Sequence, residues 1–442
     1  MNIVEAYAKK LSISEKVYSK EHGGAELSDS KKVAIARVLA NTSEYMNEAF
    51  ENSVGTQLAN MKTFKKFCLD LTTVALPNLI ANDLVIVYPM KSRVGYIQYL
   101  RFTAGSNKGG VNQGDVWNDP FALGQMTDER VAYTSAFVPE EIELDGEGKA
   151  TLHWTPIRDV KIIDGDSGAT VEVLDAEKGE IKVTGATGKV KVGYIYDNVV
   201  IPQHDLPIVN AHMDGIELRA KARRIAIYYS QMAAFQAKTE MGIDLGEVLA
   251  THACAELSYE IDTEIVKLLD KMAGDAQEDL LFNKALPVGV SKRDHYAGFA
   301  EVIELASQHI YDKTQKHAAN YMICASDVKP VLVMMEGWKG ASTSKINGPY
   351  FAGTINGVKV YVSPALKPGR FVLGYNGDDM VTSAAVYAPY MAIVPTQLLG
   401  FADGSMSQGF STLYDLKPLN DRLLVAGAVV NSVGEGTKVI RG

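Results

Sequence analysis

The sequence predicts an α+β fold with a small all-β domain inserted into it, and three observations carry that expectation. Residues 244–272 repeat apolar side chains at three- and four-residue steps without a break, the pattern of one long amphipathic helix. Residues 137–197 instead alternate apolar and polar positions between regularly spaced glycine-rich turns, the pattern of short antiparallel strands. Residues 281–400 mix helix-patterned and strand-patterned stretches. With 442 residues the chain exceeds the size at which one hydrophobic core stops growing, so two or three structural units are expected.

In chain order, 1–60 is polar and helix-compatible, with an amphipathic run through Val33, Ile35, Val38, Leu39 and Met46 that reads as an arm rather than a core. Two strand-like runs follow, 84–88 and 96–102, around a turn from Pro89 to Gly95. The next stretch, "TAGSNKGGVNQGDVWNDPFALGQ", is too polar to pack and too long for an ordinary connection, as in a loop that reaches for something. After the strand-dense 137–197 comes a strand in "GIELRAKARRIAIYYS" and a short helix in "QMAAFQAKTEMG". The long helix is framed by Asp244 with Glu247 as a capping box and by Lys267 and Lys271 before Gly274, and would span roughly 43 Å. Beyond it, a helix at 295–312, a buried strand "YMICAS", a helix near 327–337 and strands "GVKVYVSP", "RFVLGYNG" and "AAVYAPYMAIVP" are expected, with a last pair of strands at 409–415 and 422–430.

Composition narrows function. The net charge of -9 argues against affinity built on neutralising nucleic-acid phosphates. Cys68, Cys254 and Cys324 form neither a disulfide framework nor a zinc pattern, and fit a reducing compartment. No apolar run approaches a membrane span, and "MNIVEAYAKKLSISEK" has no signal-peptide core, so a soluble chain is expected.

Candidate chemistry is sparse. Gly377-Asp378-Asp379 places two carboxylates in a tight turn, as a metal-dependent nucleotidyl enzyme would, but these are also the residues a hairpin turn demands. His204-Asp205 and His212-Asp214 are metal-ligand types in a Pro-containing connection, without a third cluster. His252, Glu256 and Glu260 share one helix face, with no second row to complete a site. "GATGKVKVG" and "TAGSNKGG" lack the Gly-Lys-Ser/Thr order of a phosphate loop. No nucleophile elbow is present, and Cys254 and Cys324 sit in apolar contexts where a thiol is inert. The dense basic cluster "RAKARR" offers Arg219, Arg223 and Arg224 to a phosphate or to acidic segments of a neighbouring subunit. No cofactor or metal is expected.

Several segments, in the same order, resemble the major capsid proteins of T-even-type tailed phages. They are "ALPNLIANDLVIVYPMKSRVGYIQYLRF", "IELRAKARRIAIYYSQMAAFQAKTEMGIDLGEVLATHACAELSYEIDTEIV", "NYMICASDVKPVL", "FAGTINGVKVYV" and the run through "VYAPYMAIVP". The resemblance implies a Hong Kong 97-type capsid fold: N-terminal arm 1–60, start of the peripheral (P) domain 61–103, E-loop 104–136, inserted β-sandwich 137–200, P domain with spine helix 201–280, axial (A) domain 281–400, and a return to the periphery at 401–442. It implies no enzyme but a subunit that assembles with itself into hexameric capsomers, with pentamers from the same or a paralogous chain. Portal, scaffold and decoration proteins are the implied partners, and the shell encloses double-stranded DNA without specific binding. The implied location is the virion, after assembly in the host bacterial cytoplasm. Lys108 and Trp117 in the loop, with Arg219, Arg223 and Arg224, are the expected intersubunit contacts. A pentameric vertex paralogue and an encapsulin-like compartment shell share the fold and stay open as alternatives. In that family a protease removes an N-terminal segment after a glutamate; short matches such as Ile13-Ser14-Glu15 are too common here to place a cut.

Overall fold

A computed structural model of the chain describes residues 3–22, 24–51, 69–70, 72–107, 111–118, 133, 135–164, 169–186, 188–197, 207–242, 245–341, 348–396 and 399–431. The chain forms two compact units: Gln98–Ile216, and a larger one made of Met1–Ile97 with Glu217–Gly442.

The larger unit contains two sheets. One runs β1 (Ile86–Val87), β18 (Ala385–Pro395), β20 (Ser405–Pro418), β11 (Lys221–Ser230), with β19 (Leu399–Gly400) added to β20. The other is seven-stranded, in the order β12 (Leu281–Asn283), β21 (Leu424–Val430), β17 (Arg370–Gly374), β13 (Tyr321–Cys324), β16 (Val358–Val362), β15 (Tyr350–Ile355) and β14 (Trp338–Gly340). The interior strands β13, β17 and β21 are buried at every residue, which explains why they read as continuous apolar runs rather than alternations. Sheet membership cuts across the expected grouping of 281–400. Ala385–Pro395 lies in the sheet of β11 and β20, while Leu424–Val430, expected with the return to the periphery, lies in the seven-stranded sheet between β12 and β17. Apolar runs announce burial, but they do not say which sheet a strand joins.

The long helix spans Leu245–Ala273 and buries Ala253, Leu257, Ile261, Ile265, Val266 and Leu269. It stops at Gly274, whose φ of 71° a side chain would resist. The Arg370 side chain on β17 donates to the Gly274 carbonyl and to Asp270, tying the helix end to the sheet. Of the expected N-terminal cap, Asp244 and the side chain of Glu247 lie outside the described residues.

The N-terminal segment departs from its reading as an arm. Helices α2 (Ala8–Glu21) and α3 (Asp29–Glu51) bury Leu11, Tyr18, Ile35, Val38 and Leu39 in the same core as Ile265, Leu269, Tyr361 and Tyr387, and α1 (Ile3–Ala6) packs the partly buried Ile3 and Val4 against it. An amphipathic stripe demands a partner, but its sequence cannot say whether that partner is its own chain. Helix α4 (72–78) and one helical turn, α5 (Ala81–Leu84), follow; Leu84, expected in a strand, ends that turn, and the strand reduces to β1.

The smaller unit holds the strand-dense segment. Strands β4 (Phe137–Glu143), β9 (Lys189–Tyr196) and β6 (Ile157–Asp164) form one antiparallel sheet; β5 (Lys149–Thr151), β8 (Glu180–Thr184) and β7 (Thr170–Asp175) form another. Val138, Ile142, Ile181, Val183, Val192 and Tyr194 from both sheets share one core with Trp154 of the β5–β6 connection, so the alternating pattern reflects a two-layer β structure. A further sheet joins β10 (Val209–Arg219), β2 (Val94–Ala104) and β3 (Val116–Asn118). His212 and Asp214 therefore sit in a strand, not in a connection.

Candidate functional site

The most concentrated polar site grows from α5, where the turn at Ile80–Leu84 points Asp83 into the larger unit. Its side chain is 2% exposed. Tyr18 Oη donates to Asp83 Oδ1 at 2.7 Å, and Tyr361 Oη donates to Oδ2 at 2.6 Å. His22 Nδ1 lies 2.5 Å from Oδ2, while Lys31 Nζ and Lys359 Nζ lie 3.4 and 3.2 Å from Oδ1. Both His22 ring nitrogens face acceptors, Asp83 and the Pro77 carbonyl, which a doubly protonated ring satisfies in full. Burial alone would raise the Asp83 pKa, but the His22 hydrogen bond and the charges of His22, Lys31 and Lys359 hold it well below the usual carboxylate value. One carboxylate thus joins α2, α3, α5 and β16. Every lone pair of Asp83 is engaged, so it has no capacity left for acid–base chemistry.

Asp262 on the long helix presents the opposite case. It is buried, accepts from the Ile80 and Ala81 backbone N–H groups, and has no cation beside it among the described residues, so burial pushes its pKa well above 3.8. It anchors the start of α5 to the long helix.

The basic cluster is divided by strand alternation. Arg223 faces inward from β11: its guanidinium pairs with Glu264 at 2.5 Å and Glu260 at 3.4 Å on the long helix, and lies 5.6 Å from the Tyr414 ring centre. Its charge is used within the subunit. Arg224 points to the opposite, exposed face, and Arg219 is exposed with Glu217 3.0 Å away. Glu260, one of the three residues on the shared helix face, is thereby accounted for as a partner of Arg223. Lys108 lies outside the described residues, as do His204, Asp205 and Cys68; Trp117 lies in β3.

Gly377-Asp378-Asp379 forms a closed turn. Gly377 N donates to Thr382 O at 2.9 Å, Thr382 Oγ1 donates to Asp379 O at 2.9 Å, and Asn376 bridges to Ser383. A side chain at Gly377 would overlap that of Thr382. Among the described residues no group of three or more His, Cys, Asp and Glu side chains is placed to hold a metal ion. Cys254 and Cys324 are buried, and burial pushes both thiols up to about 12, leaving them unreactive.

What the molecule does expose is apolar surface. On the β10-β2-β3 sheet of the smaller unit Leu100, Val116, Val209 and Met213 are exposed. In the larger unit, Tyr228, Met232, Phe235, Met241, Leu399 and Phe401 are exposed, with the Tyr228 and Phe401 rings stacked 6.4 Å apart. Sequence reading missed the second set because Met and Phe on a short helix look like core; only its lack of a charged face hinted otherwise.

Among known proteins, residues 61–427 match the family model for the major capsid protein Gp23. The chain is similar to the major capsid protein of Enterobacteria phage T4, at 22% identity over 89% of this chain and 88% of that one. A major capsid protein of Vibrio phage KVP40 is 24% identical over 51% of this chain and 48% of that one. Among solved structures, one from Microbacterium phage Oxtober96 covers 79% of this chain and 91% of that chain, with a TM-score of 0.37 and 11% identity. The capsid of Myoviridae phage XM1 covers 65% and 90%, with a TM-score of 0.32 and 10% identity. With the family model matched over residues 61–427, most of its length, the chain belongs to the Gp23 major capsid protein family.

Proposed function

We propose that this chain is the self-assembling subunit of the icosahedral head shell of a tailed double-stranded DNA phage, and that it acts through interfaces, without catalysis. The observation that carries this is the family match across 61–427. In this reading 104–136 is the E-loop and crosses a neighbouring subunit, with Lys108 and Trp117 among its contacts. The long helix is the spine, and the seven-stranded sheet is the axial domain. Arg219 and Arg224 face acidic surface on a neighbour, a role that the internal pairing of Arg223 leaves to them. Subunits of a closed shell need several different contacts each, of ~800 Å² per partner in a standard interface. Exposed apolar faces in both units supply surface of the right kind. A net charge of -9 suits a container that holds DNA without adhering to it. Portal and scaffold proteins are the partners such assembly calls for, and the host cytoplasm is where it takes place.

Negative-stain electron microscopy of the purified chain tests this directly. Closed shells or capsomer rings are expected, and a persistent monomer under all assembly conditions would refute it.

A further inference from the structure

We propose that the apolar face at the tip of the β19–β20 hairpin meets the same face of a second copy across a two-fold axis, and so joins subunits of neighbouring capsomers rather than subunits within one ring. The inference rests on the reading of the chain as a self-assembling shell subunit, and names the surface that one class of its contacts uses.

Three elements of the larger unit build the face. β11 turns Ile225 and Ile227 inward onto Ala253 and Leu257 of the long helix, and leaves Ala222, Arg224, Ala226 and Tyr228 exposed on its other side. Tyr228 and Leu399 both pair with Ser407 of β20, so they stand on that same side in one cross-strand row. The turn 401–404 is closed by Phe401 N donating to Ser405 O at 2.8 Å and Gly404 N to Phe401 O at 3.1 Å, and it stacks the Phe401 ring on Tyr228. Gln231 N donates to Gly404 O at 3.0 Å, which seats the short helix Gln231–Gln236 beside the turn. No residue of that helix is buried; Met232 and Phe235 share one of its faces, and Met241 ends the helical turn that follows.

Size and charge point to a copy of the chain as the partner. Tyr228, Met232, Phe235, Met241, Leu399 and Phe401 are 49–71% exposed. At ~200 Å² for a large side chain, they present on the order of 700 Å² of mostly apolar surface. That exceeds the largest patch usual on a monomer, about 300–600 Å², and approaches the ~800 Å² that each partner gives to a stable interface. The exposed charges bordering it are balanced, Arg224 and Lys238 against Glu240 and Asp403. A face of that kind selects neither an acidic nor a basic partner and is complementary to itself. Within a ring each subunit meets its neighbours through two different surfaces, head to tail, whereas a surface that meets its own copy does so about a two-fold axis. The self-complementary face therefore lies between rings.

Two experiments on the full chain test this. In a Cys68→Ser background, with Cys254 and Cys324 buried, the single substitutions Met232→Cys, Phe235→Cys and Phe401→Cys should give disulfide-linked dimers under mild oxidation in at least one case. Glu301→Cys, exposed on the helix Phe299–Thr314, should not. Met232→Asp with Phe235→Asp should raise the concentration needed for closed shells by about a hundredfold, as loss of two central apolar anchors does. At concentrations where the wild type forms shells, electron microscopy of this variant should show rings alone, and its thermal unfolding as an isolated subunit should match the wild type because both side chains are exposed. Absence of a self-cross-link at all three positions, equal cross-linking at Glu301→Cys, or normal shells from the double variant would each overturn the assignment. Loss of rings together with shells would also overturn it, by placing the face in a head-to-tail contact. If any of these occurs while wild-type shells form, the assembly reading stands without this face; a wild type that forms neither rings nor shells removes both.

Discussion

Tyr361 on β16 and Asp83 on α5 meet in a 2.6 Å hydrogen bond across 278 positions of sequence. The same carboxylate accepts from Tyr18 on α2, so one buried charge holds the N-terminal helices, the α5 turn and the seven-stranded sheet in a single arrangement. Removing that charge leaves buried cations and hydroxyls facing one another.

Asp83→Ala should therefore destabilise the larger unit by about 3–5 kcal/mol, the usual cost of breaking a buried pair from one side. Urea unfolding measures this directly. Limited proteolysis should show cuts within 8–51 well below the unfolding midpoint, because α2 and α3 lose their shared anchor. A loss under about 1 kcal/mol would contradict the role of Asp83 as a hub.

The two buried aspartates should give opposite pH signatures. Asp83 has a depressed pKa in the folded state, so its contribution is present above the ordinary carboxylate value and is lost only as pH falls well below 3.8. Asp262 has a raised pKa, so its contribution is fully present below 3.8 and is lost as pH rises through the folded value. Denaturation curves across pH should therefore lose a decline that sets in as pH rises above 3.8 in Asp262→Asn, whose amide oxygen still accepts from Ile80 and Ala81. In Asp83→Asn they should lose an acid limb instead.

The basic cluster should split by face. Arg223→Ala removes a half-exposed pair with Glu264 and a ring contact with Tyr414, costing the isolated subunit about 1–2 kcal/mol. Arg224→Ala should change subunit stability by less than about 0.5 kcal/mol while slowing assembly. Thermal unfolding and light scattering on the same preparations separate the two effects.

Deleting 104–125 should leave a folded subunit, since the cores of both units lie elsewhere among the described residues, yet closed shells should not form. Microscopy of the deletion variant showing normal shells would remove the E-loop reading of that segment.

Asp378→Asn with Asp379→Asn should assemble normally, because an asparagine can replace the Asp379 side chain as cap of the 380–382 turn and the other closing bonds come from Gly377, Thr382 and backbone atoms. A metal-dependent activity that disappears in the double variant would revive the enzymatic reading.

Much of this was legible in the sequence, for identifiable reasons. The long helix is set by local periodicity, and its observed span, Leu245–Ala273, differs from the expected one by a single residue at each end. The two sheets of 137–197 declare themselves through alternation and glycine turns in the same way. What escaped were long-range choices. Nothing local to Ala385–Pro395 or Leu424–Val430 says which sheet each joins, because both are apolar throughout. Asp83 gave no signal, since its five partners are scattered from Tyr18 to Tyr361 and each looks like an ordinary surface residue or core tyrosine. Arg223 and Arg224 are adjacent in one cluster, and only the pleat of β11 gives them different fates.

The place of β21 has a consequence for how the subunit is made. Leu424–Val430 lies inside the seven-stranded sheet, pairing with β12 on one side and β17 on the other. That sheet cannot close until residue 430 has left the ribosome, however early the preceding helices and strands are synthesised. A chain cut short during translation lacks the strand that joins β12 to the rest, and so is barred from growing shells by its own incomplete fold.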